Sequence, residues 1–138
     1  MRSIMSDVEM EQNKAFCDAI TAAHKQKSKY NNLKTLHLVL KSKWFDKIAT
    51  GEKTSEYRSW KKYWNKKFTG SETVLVPHRP FRAVYEIPMV PFDIIVFHKG
   101  YTNEKMVFQH NGLFLVKGYK NDLGEDIVYE IKLGKRLA

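Results

Sequence analysis

Residues 36–68 read LHLVLKSKWFDKIATGEKTSEYRSWKKYWNKKF, and their pattern decides the fold class. Leu36, Leu38 and Leu40 alternate with His37 and Val39, which is the period of a strand over residues 35–40. Ser42 is a candidate N-cap for a helix whose Trp44, Phe45 and Ile48 fall on one face. Gly51 follows the last turn, where a left-handed residue ends many helices. Residues 53–58, KTSEYR, read as extended. From Trp60 a second helical pattern sets Trp60, Tyr63, Trp64 and Phe68 on one side, with Lys61, Lys62, Lys66 and Lys67 mostly around the rest.

The chain outside this stretch reads as an extension before it and a strand-rich scaffold after it. Ser6 and Glu9 have capping-box spacing, so a helix is expected to about residue 24–29, with Phe16, Cys17, Ala19, Ile20 and Ala23 along it. The polar, basic run KQKSKYNN at 25–32 is a linker. Residues 1–32 are therefore expected to be an N-terminal helical extension, and residues 33–138 the domain. Thr69 to Pro91 holds all four prolines and two short apolar pieces, which predicts a long connection or an edge hairpin. FDIIVF at 92–97 reads as a buried strand. Residues 105–109 and 113–117 read as two strands joined by an Asn111-Gly112 hairpin turn. IVYEIKL at 127–133 closes the chain as a strand. The expected fold is α+β: a small barrel of five or six strands covered by two helices.

Composition narrows the chemistry. The 138 residues suit one domain. Twenty-four Lys and Arg against fifteen Asp and Glu leave a net +9, which favours a polyanionic partner. The single cysteine, Cys17, excludes an internal disulfide and a cysteine zinc site. No apolar run approaches the ~20 residues that span a bilayer, and the start of the chain turns acidic where a signal peptide needs an apolar core. A soluble cytoplasmic protein without metal, cofactor or membrane partner is the expectation.

Nine basic residues and three acidic ones lie between Lys41 and Lys67, interleaved with Trp44, Tyr57, Trp60, Tyr63 and Trp64. Basic side chains follow phosphates and aromatic faces stack unpaired bases. Trp44, Tyr63 and Trp64 have core-facing spacing; Tyr57 and Trp60 are less committed. Lys53, Glu56 and Arg58 are the polar residues expected to line a pocket, and Lys53 and Glu56 could serve as base and acid. Glu56 and Arg58 share a face of an ideal strand, whereas Lys53 joins them only from the turn after Gly51.

At these residues the sequence resembles the ASCH domain family of the PUA-like superfamily. The resemblance runs from about 33 to 134 and rests on HLVLKSKWFDKIATGEKTSEYR, KKYWNKKF, FDIIVFHKGY and VYEIKLG, with Gly51, Lys53, Glu56 and Arg58 as its Gly-x-Lys-x-x-Glu-x-Arg motif. It implies a small β-barrel, a motif-lined cleft and RNA binding. Some ASCH proteins resemble amidohydrolases on acetylated cytidine, using a Lys and a Thr of this motif and a distant Glu; Lys53 matches the Lys, and Glu56 stands in the Thr position. Others resemble ribonucleases. The candidate ligand contacts are Lys53, Tyr57, Arg58, Trp60, Lys61, His98 and Tyr101, with Lys53 and Glu56 the candidate catalytic pair. The expected ligand is RNA or a single nucleotide or nucleoside. A homodimer or protein partner through the N-terminal helix is a further reading.

Overall fold

The computed structural model describes residues 33–138, so the N-terminal helix and linker expected at 1–32 lie outside the described residues. The architecture is α+β. The elements are β1 (Thr35–Leu40), α1 (Ser42–Ala49), β2 (Ser55–Ser59), α2 (Lys62–Thr69), β3 (Ala83–Tyr85), β4 (Ile94–Lys99), β5 (Lys105–Lys117) and β6 (Ile127–Arg136). They fall into two compact units. The first holds residues 33–52, Phe92–Gln109 and Gly134–Ala138; the second holds Lys53–Pro91 and His110–Leu133.

In the first unit β1 runs parallel to β4, from Thr35 opposite Ile94 to Leu40 opposite Lys99. β4 pairs antiparallel with the first part of β5, from Ile94 opposite Gln109 to His98 opposite Lys105. Alternation in β1 buries Leu36, Leu38 and Leu40 and exposes Val39. Ile94, Ile95, Val96 and Phe97 are all buried, as a near-continuous apolar run requires of a strand covered on both faces. Ile94, Val96, Val107 and Leu137 form one cluster, with Leu33 packed on it. The chain end is held there by backbone bonds between Val107 and residues 137 and 138, at 2.7–3.2 Å. α1 packs on β1 and β4, burying Phe45 and Ile48. Its N-cap is Lys41, not Ser42: Ser42 already lies in the helix and no side chain caps it. Gly51, at φ 82°, takes the left-handed place just after the Thr50 C-cap, as its spacing predicts.

In the second unit β2 pairs antiparallel with β6, from Ser55 opposite Lys132 to Ser59 opposite Val128, and β3 pairs with the second part of β5. Leu115, Val116, Val128, Tyr129 and Ile131 are buried there, with Phe68 of α2. The proline-rich stretch between α2 and β4 forms a long connection with a three-residue strand, bounded by Pro80 and Pro88. Only residues 83–85 pair with β5, so the apolar run at 74–76 makes no strand. The connection is pinned to the helix region instead. Trp60 donates its indole N–H to the Val74 carbonyl at 3.0 Å, Asn65 donates its amide to the Glu72 carbonyl at 3.0 Å, and the Val90 amide donates to the Phe68 carbonyl at 2.8 Å.

The Asn111-Gly112 turn does not form. β5 runs unbroken from Lys105 to Lys117, and Gly112 is a close-approach residue within it. Its φ is 138°, and a Cβ built there would lie 2.6 Å from the Phe114 ring. Gly112→Ala is accordingly expected to destabilise the protein by roughly 1–3 kcal/mol through backbone strain and the ring clash. A urea titration of the variant against the parent measures this, and an unchanged midpoint would contradict the account.

Candidate functional site

The candidate site belongs to the second unit and is built on β2. The strand starts at Ser55, which leaves Lys53 outside the ladder on the turn after Gly51. From there its ammonium reaches the Glu56 Oε1 atom at 2.8 Å. Arg58, two residues on and on the same face as Glu56, donates Nη1–H to Glu56 Oε2 at 2.5 Å and to the Tyr57 carbonyl at 2.8 Å. Both oxygens of one carboxylate are thus engaged by cations, and Glu56 as a residue is only 4% exposed. A charge taken so far out of water needs such partners, because an unpaired buried charge is costly.

Two further groups complete the cluster. Asp122, in the loop between β5 and β6, forms an ion pair with Lys53. Asn121 shapes that loop: its side chain donates to the carbonyls of Tyr119 and Glu125 at 3.0 and 2.8 Å and accepts from the Leu123 amide at 2.9 Å. Trp64 of α2 lies beneath the Arg58 guanidinium, 5.1 Å from the ring centre. On the opposite face of β2, Tyr57 lies across from Glu130 of β6. Its ring is 5.3 Å from the Lys53 ammonium. Burial pushes the Tyr57 hydroxyl pKa up, and the charges of Glu130 and Glu56 add to the effect. Ser55 donates to the same Glu130 at 2.9 Å.

The structure brings Lys53, Glu56, Tyr57 and Arg58 together. Trp60 is half-buried, committed to the Val74 carbonyl, and Lys61 is the exposed N-cap residue of α2. His98 and Tyr101 belong to the first unit. The His98 ring lies 3.0 Å (Nε2 to Nδ1) from that of His37, and burial, then the Lys105 charge, lower its pKa. Tyr101 is fully exposed on the turn after β4. The basic and aromatic stretch 41–67 is divided at Glu52–Lys53 between the two units. Trp44, in the first, carries Lys43 and Lys47 near its ring at 4.8 and 5.5 Å.

α2 departs from the spacing-based reading in a way that matters for the site. The helix starts at Lys62, so Trp60 precedes it, and its buried residues are Asn65 and Phe68, with Trp64 half-buried and Tyr63 turned outward. Asn65 is buried because its polar atoms are satisfied: Oδ1 accepts from the Tyr129 hydroxyl at 2.6 Å while the amide donates to Glu72. Burial raises the Tyr129 pKa to about 12, so this hydroxyl stays a donor. Tyr63 is 63% exposed.

Asp122, Glu130 and Asn65 were not legible as site or core residues. Glu130 alone left a trace, as the one acid inside an apolar strand. Among the described residues no three His, Cys, Asp or Glu side chains stand at metal-holding positions, and no helix is long and apolar enough to cross a membrane. Comparisons of the chain with protein-family models, with curated proteins and with solved structures gave no match.

Proposed function

We propose that this chain binds RNA or a nucleotide at the β2 cluster, as an ASCH-like, PUA-type domain. The observation that carries the reading is the sharing of one buried carboxylate, Glu56, by Lys53 and Arg58. That sharing fixes two cations beside an aromatic ring, a combination suited to phosphate and base. Glu56 has both oxygens engaged, so it orders the two cations and does not read a base edge itself. Lys53 and Arg58 meet the ligand, with Tyr57 beside them. Asp122 holds the position on Lys53 that a ligand oxygen would take, so binding exchanges one anionic partner for another.

Equilibrium binding of labelled mononucleotides tests this. Arg58→Leu is expected to weaken binding roughly tenfold or more, the loss of a charge-assisted hydrogen bond worth about 1.5–3 kcal/mol. Asp122→Asn removes the competitor and is expected to tighten binding, a result that misfolding cannot imitate. Unchanged affinity in both variants would reject the site. The same incubations, followed by mass analysis, separate binding from turnover: loss of an acetyl group from acetylcytidine, or cleavage of RNA, would mark the cluster as a hydrolase centre instead.

A further inference from the structure

The outer face of α2 joins three cations and an exposed aromatic ring. Lys62 and Lys66, and Tyr63 and Lys67, are each four residues apart and so share one side of the helix. With Glu72 they line a hollow of about 440 Å³, within the roughly 300–1,000 Å³ of small-ligand clefts. Glu72 is its one acid, 3.6 Å from Lys62 in a pair exposed on both sides. Such a pair contributes little and is readily exchanged. Tyr63 meets Trp64 edge-on, with centroids 4.7 Å apart and planes at 89°. Trp64 in turn stacks on Phe68 at 5.3 Å and 20°. The exposed ring is therefore braced by half-buried Trp64 and, behind it, buried Phe68, which lowers the entropy cost of stacking on it.

We propose that this face is a docking surface for single-stranded nucleic acid, with Lys62, Lys66 and Lys67 along the phosphates and one base stacked on Tyr63. Charge complementarity selects the occupant: three cations against one acid call for a polyanion, and a flat ring among them suits a strand with unpaired bases better than an acidic peptide. The proposal goes beyond the β2 reading. Trp64 touches both Tyr63 and the Arg58 guanidinium, so a strand on α2 would lead towards the nucleotide taken at β2.

Fluorescence anisotropy with a labelled mixed-sequence 12-mer, as RNA and as DNA, over a series of salt concentrations tests it in the full chain. The wild type should bind one or both strands with salt-dependent affinity. Replacing Lys62, Lys66 and Lys67 together by Gln should make the slope of log affinity against log salt shallower by about two, since each phosphate contact on a single strand contributes about 0.7. Tyr63→Ala should weaken binding roughly tenfold at each salt concentration and leave the slope unchanged, while Tyr63→Phe keeps the affinity. All four positions lie at the surface or partly so, which spares the core. An unchanged slope and affinity in the triple variant, no oligonucleotide binding by the wild type, or equal displacement by polyglutamate of matched length would each overturn the proposal. Mononucleotide affinity should be the same in the triple variant as in the wild type. Slope-sensitive oligonucleotide binding in a protein that binds no mononucleotide would sustain the α2 surface and reject the β2 site.

Discussion

Glu56→Ala is expected to lower the unfolding free energy by about 3–5 kcal/mol, the range found when one partner of a buried ion pair is removed. The Glu56 side chain is 6% exposed, and its two cations are 9% and 15% exposed. Taking the carboxylate away removes the group both cations share: Arg58 loses its bond to Oε2 and Lys53 its contact with Oε1. The loss is one-sided, so it exceeds what the pair contributes against an apolar replacement. Lys53→Met should cost less in the Glu56→Ala background than in the parent, because the Lys53–Glu56 contact is already gone there. Urea unfolding of the two single variants and the double variant closes the cycle. A Glu56→Ala cost under about 1 kcal/mol would place these groups in a surface-like environment and remove the premise that Lys53 and Arg58 are held ready for a ligand.

Such a cluster shows which kinds of information a sequence carries. Local periodicity was legible: the alternation that buries Leu36, Leu38 and Leu40 is written in the order of the residues, and so is the stop at Gly51. Lys53, Glu56 and Arg58 could be brought together on paper because all three lie within six residues and their directions follow from the strand start. Groups that arrive from far along the chain were not legible. Asp122 reaches Lys53 across 69 residues, through a loop whose shape depends on Asn121. Buried Asn65 looks like a surface residue until Tyr129, 64 residues on, supplies its donor. The Asn111-Gly112 signal failed for a related reason. Glycine there provides room for the Phe114 ring, and a dipeptide cannot say whether its glycine serves a turn or a close approach. Tyr63 went wrong because Trp60, counted in its stripe, lies outside the helix: the buried side is set by Asn65 and Phe68, from which Tyr63 is turned by roughly 160° and 140° at 100° per residue.

Phe68→Ala is expected to cost about 3–5 kcal/mol, the range for a buried Phe reduced to Ala. Phe68 is fully buried between the Trp64 ring and the Tyr129 ring, whose centroid lies 4.8 Å away at 66°. Beyond the apolar area, the truncation opens a cavity next to the Tyr129–Asn65 hydrogen bond and removes the floor on which Trp64 stacks. Phe68→Leu fills most of that volume and should cost under about 1.5 kcal/mol, if the neighbours repack as for other near-isosteric changes. Thermal and urea unfolding give the stability difference, and near-ultraviolet circular dichroism reports the loosening of Trp64. Because Trp64 supports Tyr63 by its edge and Arg58 by its face, a folded Phe68→Ala population should lose oligonucleotide affinity while keeping its salt slope. The lysines of α2 remain in place, and only the stacking surface becomes mobile. An affinity that falls together with the slope would instead mean that the helix itself had come away, and that α2 presents its cations only when Phe68 anchors it.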